Sequence, residues 1–583
     1  MGDTRVEGRA EGAEDEIAAA AGTLLTCADT ADGGGAETEP LARALRDAAG
    51  GLEDALRLAV AGQIKRGKST LVNALLGERV ALTGQLELTY TVSELYYAED
   101  RIVTVRHRDG SARTLPAEEF RRMTGRDETG TGVLDDVARV EYGIPNRLLR
   151  SFRLADTPGL GSVHGVDSQN TLDFLGISAF AGDADREALE AALAASGRTP
   201  QDVHSDSARE IREAEAVLYL FDRGLHERDR VGVREFLGGA DHGHTPFSAF
   251  GVLSRVDQLW PPGPDLPGDP DPLTWDPMAE SEKIIERYLE RPEVRSLFFT
   301  IVPVSGLLGE GARLLEAEEI DHLDDLRKTE PPILVRRLRD AGRFARAEAL
   351  PGVALPAARR RALVDRLGIW GIHLACGLLR DGADEERLRQ GLVEASGVSR
   401  LRDMIGRHFG NRYTLIKLDH GLRRAEGALA RLRLDSANAG HAVPALAATV
   451  AAELERLRAR VSGFAELDVL AAHYRGELRL SQDETAQLRR ITGEDGTSLP
   501  SRLGLPAGAT PQELRTAALA AVHAWSFREQ DPTLDRASVQ AVRAVRRSCE
   551  RLLHRVQDPT DRPGPPGSTE PATAAAAGEV RAP

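Results

Sequence analysis

The run Leu58-Ala59-Val60-Ala61 leads directly into Gly62-Gln63-Ile64-Lys65-Arg66-Gly67-Lys68-Ser69, and a helical segment, Thr70–Leu76, follows. A strand, a loop of the form G-x-x-x-x-G-K-[ST] and a helix, in that order, is the setting in which backbone N–H groups can cradle a phosphate chain. Gly62 and Gly67 free the backbone to turn those groups inward. Lys68 brings a cation to the outer phosphates, and Ser69 offers a hydroxyl to Mg²⁺. Thr70, next in the chain, joins this candidate binding set. A loop of this kind commits its part of the chain to an α/β layer.

Three further elements follow in a consistent order. Asp156-Thr157-Pro158-Gly159 closes the apolar strand Phe152–Ala155 and lies 88 residues after Lys68 (156 − 68). An Asp at a strand's end can hold Mg²⁺ through water, and Gly159 lets its N–H approach the γ-phosphate. Ser254-Arg255-Val256-Asp257 closes the strand Phe250–Leu253, where guanine-nucleotide-binding proteins carry [NT]-K-x-D. The Asp257 carboxylate can accept from the guanine N1 and N2 groups, which adenine lacks. Losing such a buried bond is worth on the order of 10³-fold or more in discrimination. Arg255 stands where a Lys stem covers the base, and its guanidinium could stack there instead. Ser305, in Pro303-Val304-Ser305-Gly306, follows the last strand, where its backbone could meet the guanine O6. Thr89, ahead of the strand Val92–Tyr97, could close over Mg²⁺ when GTP is bound. Thr91 competes for that role, but it abuts the strand, so Thr89 is preferred.

A chain of 583 residues is too long for one core. With 41% hydrophobic, 28% charged and only 4% aromatic residues, it reads as globular and rich in long helices. A net charge of −16 argues against nucleic acid as a partner. Cys27, Cys376 and Cys549 have neither disulfide nor metal spacing, which points to a reducing compartment. No apolar run at the N-terminus resembles a signal peptide. The stretch Leu367–Leu379 spans about 20 Å as a helix, too short to cross a bilayer, and reads as a buried helix. The expected setting is therefore cytoplasmic.

Residues 1–53 read as a helical arm in which two helices flank Gly33-Gly34-Gly35. Residues 54–312 alternate strands and helices, with strands at Leu58–Ala61, Val92–Tyr97, Ile102–Arg106, Phe152–Ala155, Val217–Phe221, Phe250–Leu253 and Phe299–Val304. Two insertions are expected there: a helical one at Ala181–Ser207 and an exposed loop at Trp260–Pro277. Residues 313–557 form a helical trunk and C-terminal helical region. In it, Leu415 to Leu432 and Leu446 to Phe464 make an antiparallel helical hairpin, and Thr510-Pro511-Gln512-Glu513 starts a capped helix. Residues 558–583 read as a disordered tail. The fold class is thus an α/β P-loop GTPase head with a mainly α-helical trunk, a helical bundle.

The segments GQIKRGKSTLVNALLG at Gly62–Gly77, DTPGLGS at Asp156–Ser162, LSRVDQ at Leu253–Gln258 and VPVSGLL at Val302–Leu308 together resemble a bacterial dynamin-like GTPase. The likeness is in particular to the actinobacterial isoniazid-inducible group. It covers residues 56–310 and, more loosely, Ala362–Arg431. The resemblance implies GTP and Mg²⁺ as ligands, self-assembly into a homodimer or larger form through the heads, and peripheral contact with the inner face of a membrane that it remodels or maintains. Two departures matter. Ile64 and Leu160 occupy places where related GTPases orient the attacking water, and neither can do so. Lys65, beside Ile64, could supply a positive charge instead. A regulatory GTPase switch that recruits a protein through the trunk is the alternative reading.

The base-reading assignment has a direct test. Asp257→Asn turns an acceptor toward a donor, so it should shift preference from GTP to XTP in calorimetric titrations. ATP binding as tight as GTP in the wild type would sink the assignment.

Overall fold

The computed structural model describes residues 11–62, 66–80, 92–107, 109–124, 137–150, 152–156, 214–222, 224–226, 229–230, 233, 248–263, 270–348, 350–353, 355–439 and 444–557. The inserted helix expected at 181–207 and the tail at 558–583 lie outside them.

Nine strands form one sheet among the described residues: β1 Leu56–Gly62, β2 Val92–Tyr97, β3 Ile102–His107, β4 Ala112–Pro116, β5 Val137–Ile144, β6 Phe152–Asp156, β7 Ala216–Phe221, β8 Ala249–Ser254 and β9 Thr300–Val304. Their order is β4-β3-β5-β2-β6-β1-β7-β8-β9. The half from β6 to β9 is parallel, and β2 enters antiparallel to β6. The parallel strands are apolar on both faces, as a sheet covered on both sides requires. Leu58 and Val60 of β1 belong to one core with Leu218 and Val252, while Ala59 and Ala61 face the other with Val217 and Phe298. Glu94 of β2 is buried inside the sheet. Burial would raise its carboxyl, but Arg57, Arg139 and Arg153 outweigh that and hold it below the usual range.

β4 and β5 were not among the strands expected from the sequence. β4 is a short edge strand ending in Pro116, with only Leu115 buried. β5 alternates Val140, Tyr142 and Ile144 with charged neighbours, and it sits between β2 and β3 rather than at an edge. The described parts of the loop expected from Trp260, residues 260–263 and 270–276, form neither helix nor strand, but their tryptophans turn inward. Trp260 is buried, its Nε1–H donates to Pro272 O at 3.0 Å, and Trp275 Nε1–H donates to Leu259 O at 3.0 Å.

The helices fall into three packed groups. Glu11–Asp32, Glu39–Gly50, Asn411–Asn438 and Ala445–Arg460 share one apolar core. Gly421 allows the long helix to lie close to Glu39–Gly50: a Cβ there would stand 2.6 Å from Ala48 Cβ. Lys417 Nζ, buried, donates to Gly51 O at 2.7 Å and to Glu215 Oε1 at 2.9 Å, and Glu215 Oε2 accepts from the Arg57 N–H at 2.5 Å. That chain of bonds pins the bundle to β1. The second group, from Leu308 to Leu392, gathers around Trp260. Among the described residues one helix, Ala357–Arg380, is long and apolar enough by length and composition to cross a membrane. Leu363, Leu367, Ile372 and Cys376 bury it in this group, and Gly368 (φ 69°, ψ 174°) breaks it. It is therefore a core helix. The third group, Gly463–Tyr474, Gln482–Ile491, Pro511–Glu529 and Arg536–Gln557, packs in one core with the sheet. The capping box at Thr510 and Glu513 forms as expected. Directly before Asn411–Asn438, the π-helical turn Gly406–Gly410 sets His408 and Phe409 against Phe250 and His408 against Phe299.

Leu45 lies fully buried in the bundle core. Leu45→Ala should cost about 2–5 kcal/mol in urea unfolding. An unchanged midpoint would mean that the first fifty residues do not pack on Asn411–Asn438.

Candidate functional site

β1 reaches the site at Gly62, where φ is 141° and a Cβ would lie 2.5 Å from Leu220 O of β7. Only glycine passes there. Gly67 (φ 86°, ψ 28°) caps the helix Lys68–Leu76, and its carbonyl accepts from Leu71 N–H at 2.8 Å. Lys68 folds back so that Nζ donates to Gly62 O at 3.2 Å. Burial pushes its ammonium down to about 8, against the pull of Asp156. In the β1–β6 register Val60 is opposite Asp156, which brings the Asp156 carboxylate to the start of the helix. There Ser69 Oγ donates to Asp156 Oδ2 at 2.8 Å. Burial raises the Asp156 carboxyl, while Lys68 and Ser69 draw it down.

Asp156 Oδ1 is buried without a hydrogen-bond partner among the described residues. An unsatisfied carboxylate oxygen beside a hydroxyl suits a hard cation that takes oxygen ligands. The described residues contain no cluster of three or more His, Cys, Asp or Glu fit to hold a metal alone.

The other end of the site is built on β8 and β9. Ser254 Oγ donates to Phe221 O at 3.1 Å, locking the end of β8 to β7. Arg255 takes left-handed angles (φ 58°, ψ 36°), the only described non-glycine residue to do so. Such a position stores strain in a tight turn. That turn carries Asp257 into a cavity of about 270 Å³. The cavity joins Gly67 and Thr70 of the phosphate end to Arg255, Asp257 and Leu307 at the other. Asp257 Oδ1 accepts from Ser305 Oγ–H at 2.6 Å. Burial raises the Asp257 carboxyl, and the Ser305 bond draws it down.

The structure thus brings Gly62, Gly67, Lys68, Ser69, Thr70 and Asp156 to one end of a single site and Ser254, Arg255, Asp257 and Ser305 to the other. Lys65, Thr89, Thr91, Gly159, Ile64 and Leu160 lie outside the described residues. Two contacts were not foreseen. Ser305 acts on Asp257 through its side-chain hydroxyl, where only its backbone had been expected to take part. Arg66, nearly buried, turns from the loop to pair with Asp222 at the end of β7. An Arg directly before Gly-Lys, and a Ser directly before the helix Gly306–Arg313, were the available signals.

Residues 58–188 match the sequence profile of the dynamin family. The isoniazid-induced protein IniC of Mycobacterium tuberculosis (strain H37Rv) is 31% identical over 513 residues, which is 86% of this chain and 90% of that protein. Dynamin-like protein 2 of Campylobacter jejuni is 30% identical over 124 residues, 21% of this chain and 20% of that one. A solved oligomerised bacterial dynamin pair, described as sensing and tethering membranes, aligns with 95% of this chain and 76% of its own at 11% identity, with a TM-score of 0.31. That last likeness is too low to carry an argument.

Lys68→Ala removes the buried cation of the phosphate end. Nucleotide affinity should fall by roughly 3–5 kcal/mol while the circular dichroism spectrum stays unchanged. Undiminished binding by a folded variant would show the site to be elsewhere.

Proposed function

This chain belongs to the dynamin family, and from that premise we propose that it binds GTP with Mg²⁺ and hydrolyses it, using the cycle of head contacts to act on a membrane surface. The observation that carries the nucleotide reading is the single cavity with Gly67 and Thr70 at one end and Asp257 at the other. Lys68, buried and cationic, would meet the outer phosphates. The free acceptor of Asp156 and the hydroxyl of Ser69 would hold Mg²⁺, which neutralises phosphate charge when bound. Asp257, kept in place by Ser305, would accept from the guanine N–H groups. Arg255 lines the same cavity and could cover the base.

Hydrolysis needs a positioned water. Ile64 and Leu160 cannot orient one, and Lys68 alone stabilises charge without placing the nucleophile. A second head that completes the site would supply what is missing, with Lys65 and Thr89 as this chain's own candidates for the nearby positive charge and the Mg²⁺ contact. In this reading the protein sits peripherally at the membrane.

Dependence on a second head has a clear signature. Turnover per molecule should rise across a hundredfold range of enzyme concentration, and rise again on liposomes, with light scattering following assembly. Constant turnover from a monomer under both conditions would reject the mechanism and favour a regulatory switch.

A further inference from the structure

We propose that Gly368, in the helical part of the chain, is a positioning residue for guanine recognition that forms the wall behind Asp257. The inference rests on the reading of Asp257 given above. Gly368 interrupts the helix Ala357–Arg380 with φ 69° and ψ 174°, a backbone region that in practice only glycine enters. A break inside a helix has an identifiable cause. Here it is the close crossing of the helix Gly306–Arg313, which starts directly after Ser305. A Cβ on Gly311 would lie 1.9 Å from Arg366 O, and one on Gly371 would lie 2.8 Å from Leu308 Cδ1. The two helices meet almost backbone to backbone, next to the turn that carries Asp257.

A Cβ on Gly368 would stand 3.5 Å from Leu307 Cδ2 and 3.8 Å from Asp257 Oδ2. Leu307 and Asp257 both line the nucleotide cavity, so one residue from outside the sheet backs two of its walls. Asp257 Oδ1 already accepts from Ser305, so Oδ2 carries more of the acceptor capacity left for the base. The distances at 368 would admit a methyl group, but the positive φ would not. A side chain there drives the backbone toward helical angles and re-aims the half-helix beyond it. That half carries His373, whose ring stacks on Trp260 with centroids 4.7 Å apart and planes at 19°. Trp260 lies three residues past Asp257. A rotation at 368 therefore reaches the base-reading turn at two points, directly at Asp257 and through the His373–Trp260 stack.

The test compares GTP with ITP, which lacks the guanine 2-amino group, by titrating the nucleotide-free full chain. The variants are Gly368→Ala and, as a control on the same helix, Gly377→Ala, where an added Cβ meets nothing within 4 Å. The wild type and the control should prefer GTP by roughly tenfold or more. Gly368→Ala should bring the ratio close to one. The ratio does not depend on the fraction of protein folded, so a variant that only destabilises the chain leaves it unchanged. His373→Ala keeps Gly368 but releases the half-helix beyond it, and should lower the ratio by about threefold or more even where Gly368→Ala gives no soluble protein. An unchanged ratio in the variants would overturn the proposal. A wild-type ratio near one would overturn the guanine reading itself, and this inference with it.

Discussion

The site depends on a cation and a carboxylate that are buried together at one end of the parallel sheet. Lys68 and Asp156 are each largely shielded from water, and either alone would be costly to bury. They are tolerated because the β1–β6 register delivers Asp156 to the point where the phosphate loop turns back into its helix, and because Ser69 donates to the carboxylate. Burial still presses both groups toward neutrality, Lys68 downward and Asp156 upward. A polyanion beside the lysine and a cation beside the aspartate would relieve both. The empty acceptor on Asp156 and the strained turn at Arg255 are thus costs carried by the fold in advance of a ligand.

The strands that hold this site were legible in the sequence for a physical reason. β1, β7, β8 and β9 are almost wholly buried, and β6 is except at Arg153, so each appears as a short, mainly apolar run. β1, β6 and β8 end at a residue with chemistry to mark them, and Ser305 marks the end of β9 from the next position. Gly62 and Gly67 announce backbone angles that other residues avoid. The capping box at Thr510 and the spaced leucines of Asn411–Asn438 are likewise local codes. β4 and β5 carry no such code, one because it is a short edge strand and the other because charges interleave its apolar side chains.

What remained hidden was tertiary. Arg66 could be seen in the loop but not its turn toward Asp222. Gly368 lies 111 residues from Asp257 (368 − 257), and no local pattern links them. The two tryptophans of the Pro-rich loop looked exposed by composition and are turned inward by hydrogen bonds to backbone carbonyls. The apolar stretch around Ile372 was readable as buried, but not as the helix whose Gly368 stands against Leu307 and Asp257.

The bundle joins helices from distant parts of the chain, and Lys417 fixes it to β1 through Gly51 and Glu215. This has a consequence for synthesis. The helix Glu39–Gly50 is complete 361 residues before Asn411–Asn438 begins (411 − 50). At bacterial elongation rates that interval is roughly 20 to 70 s. For that time Leu41, Leu45 and Ala48 have only Glu11–Asp32 beside them and not the long helix that completes their core, while all nine described strands of the sheet precede Asn411. The nascent chain therefore presents all the described strands and a half-covered apolar stripe together, which makes the start of the chain the natural place for a chaperone to hold it.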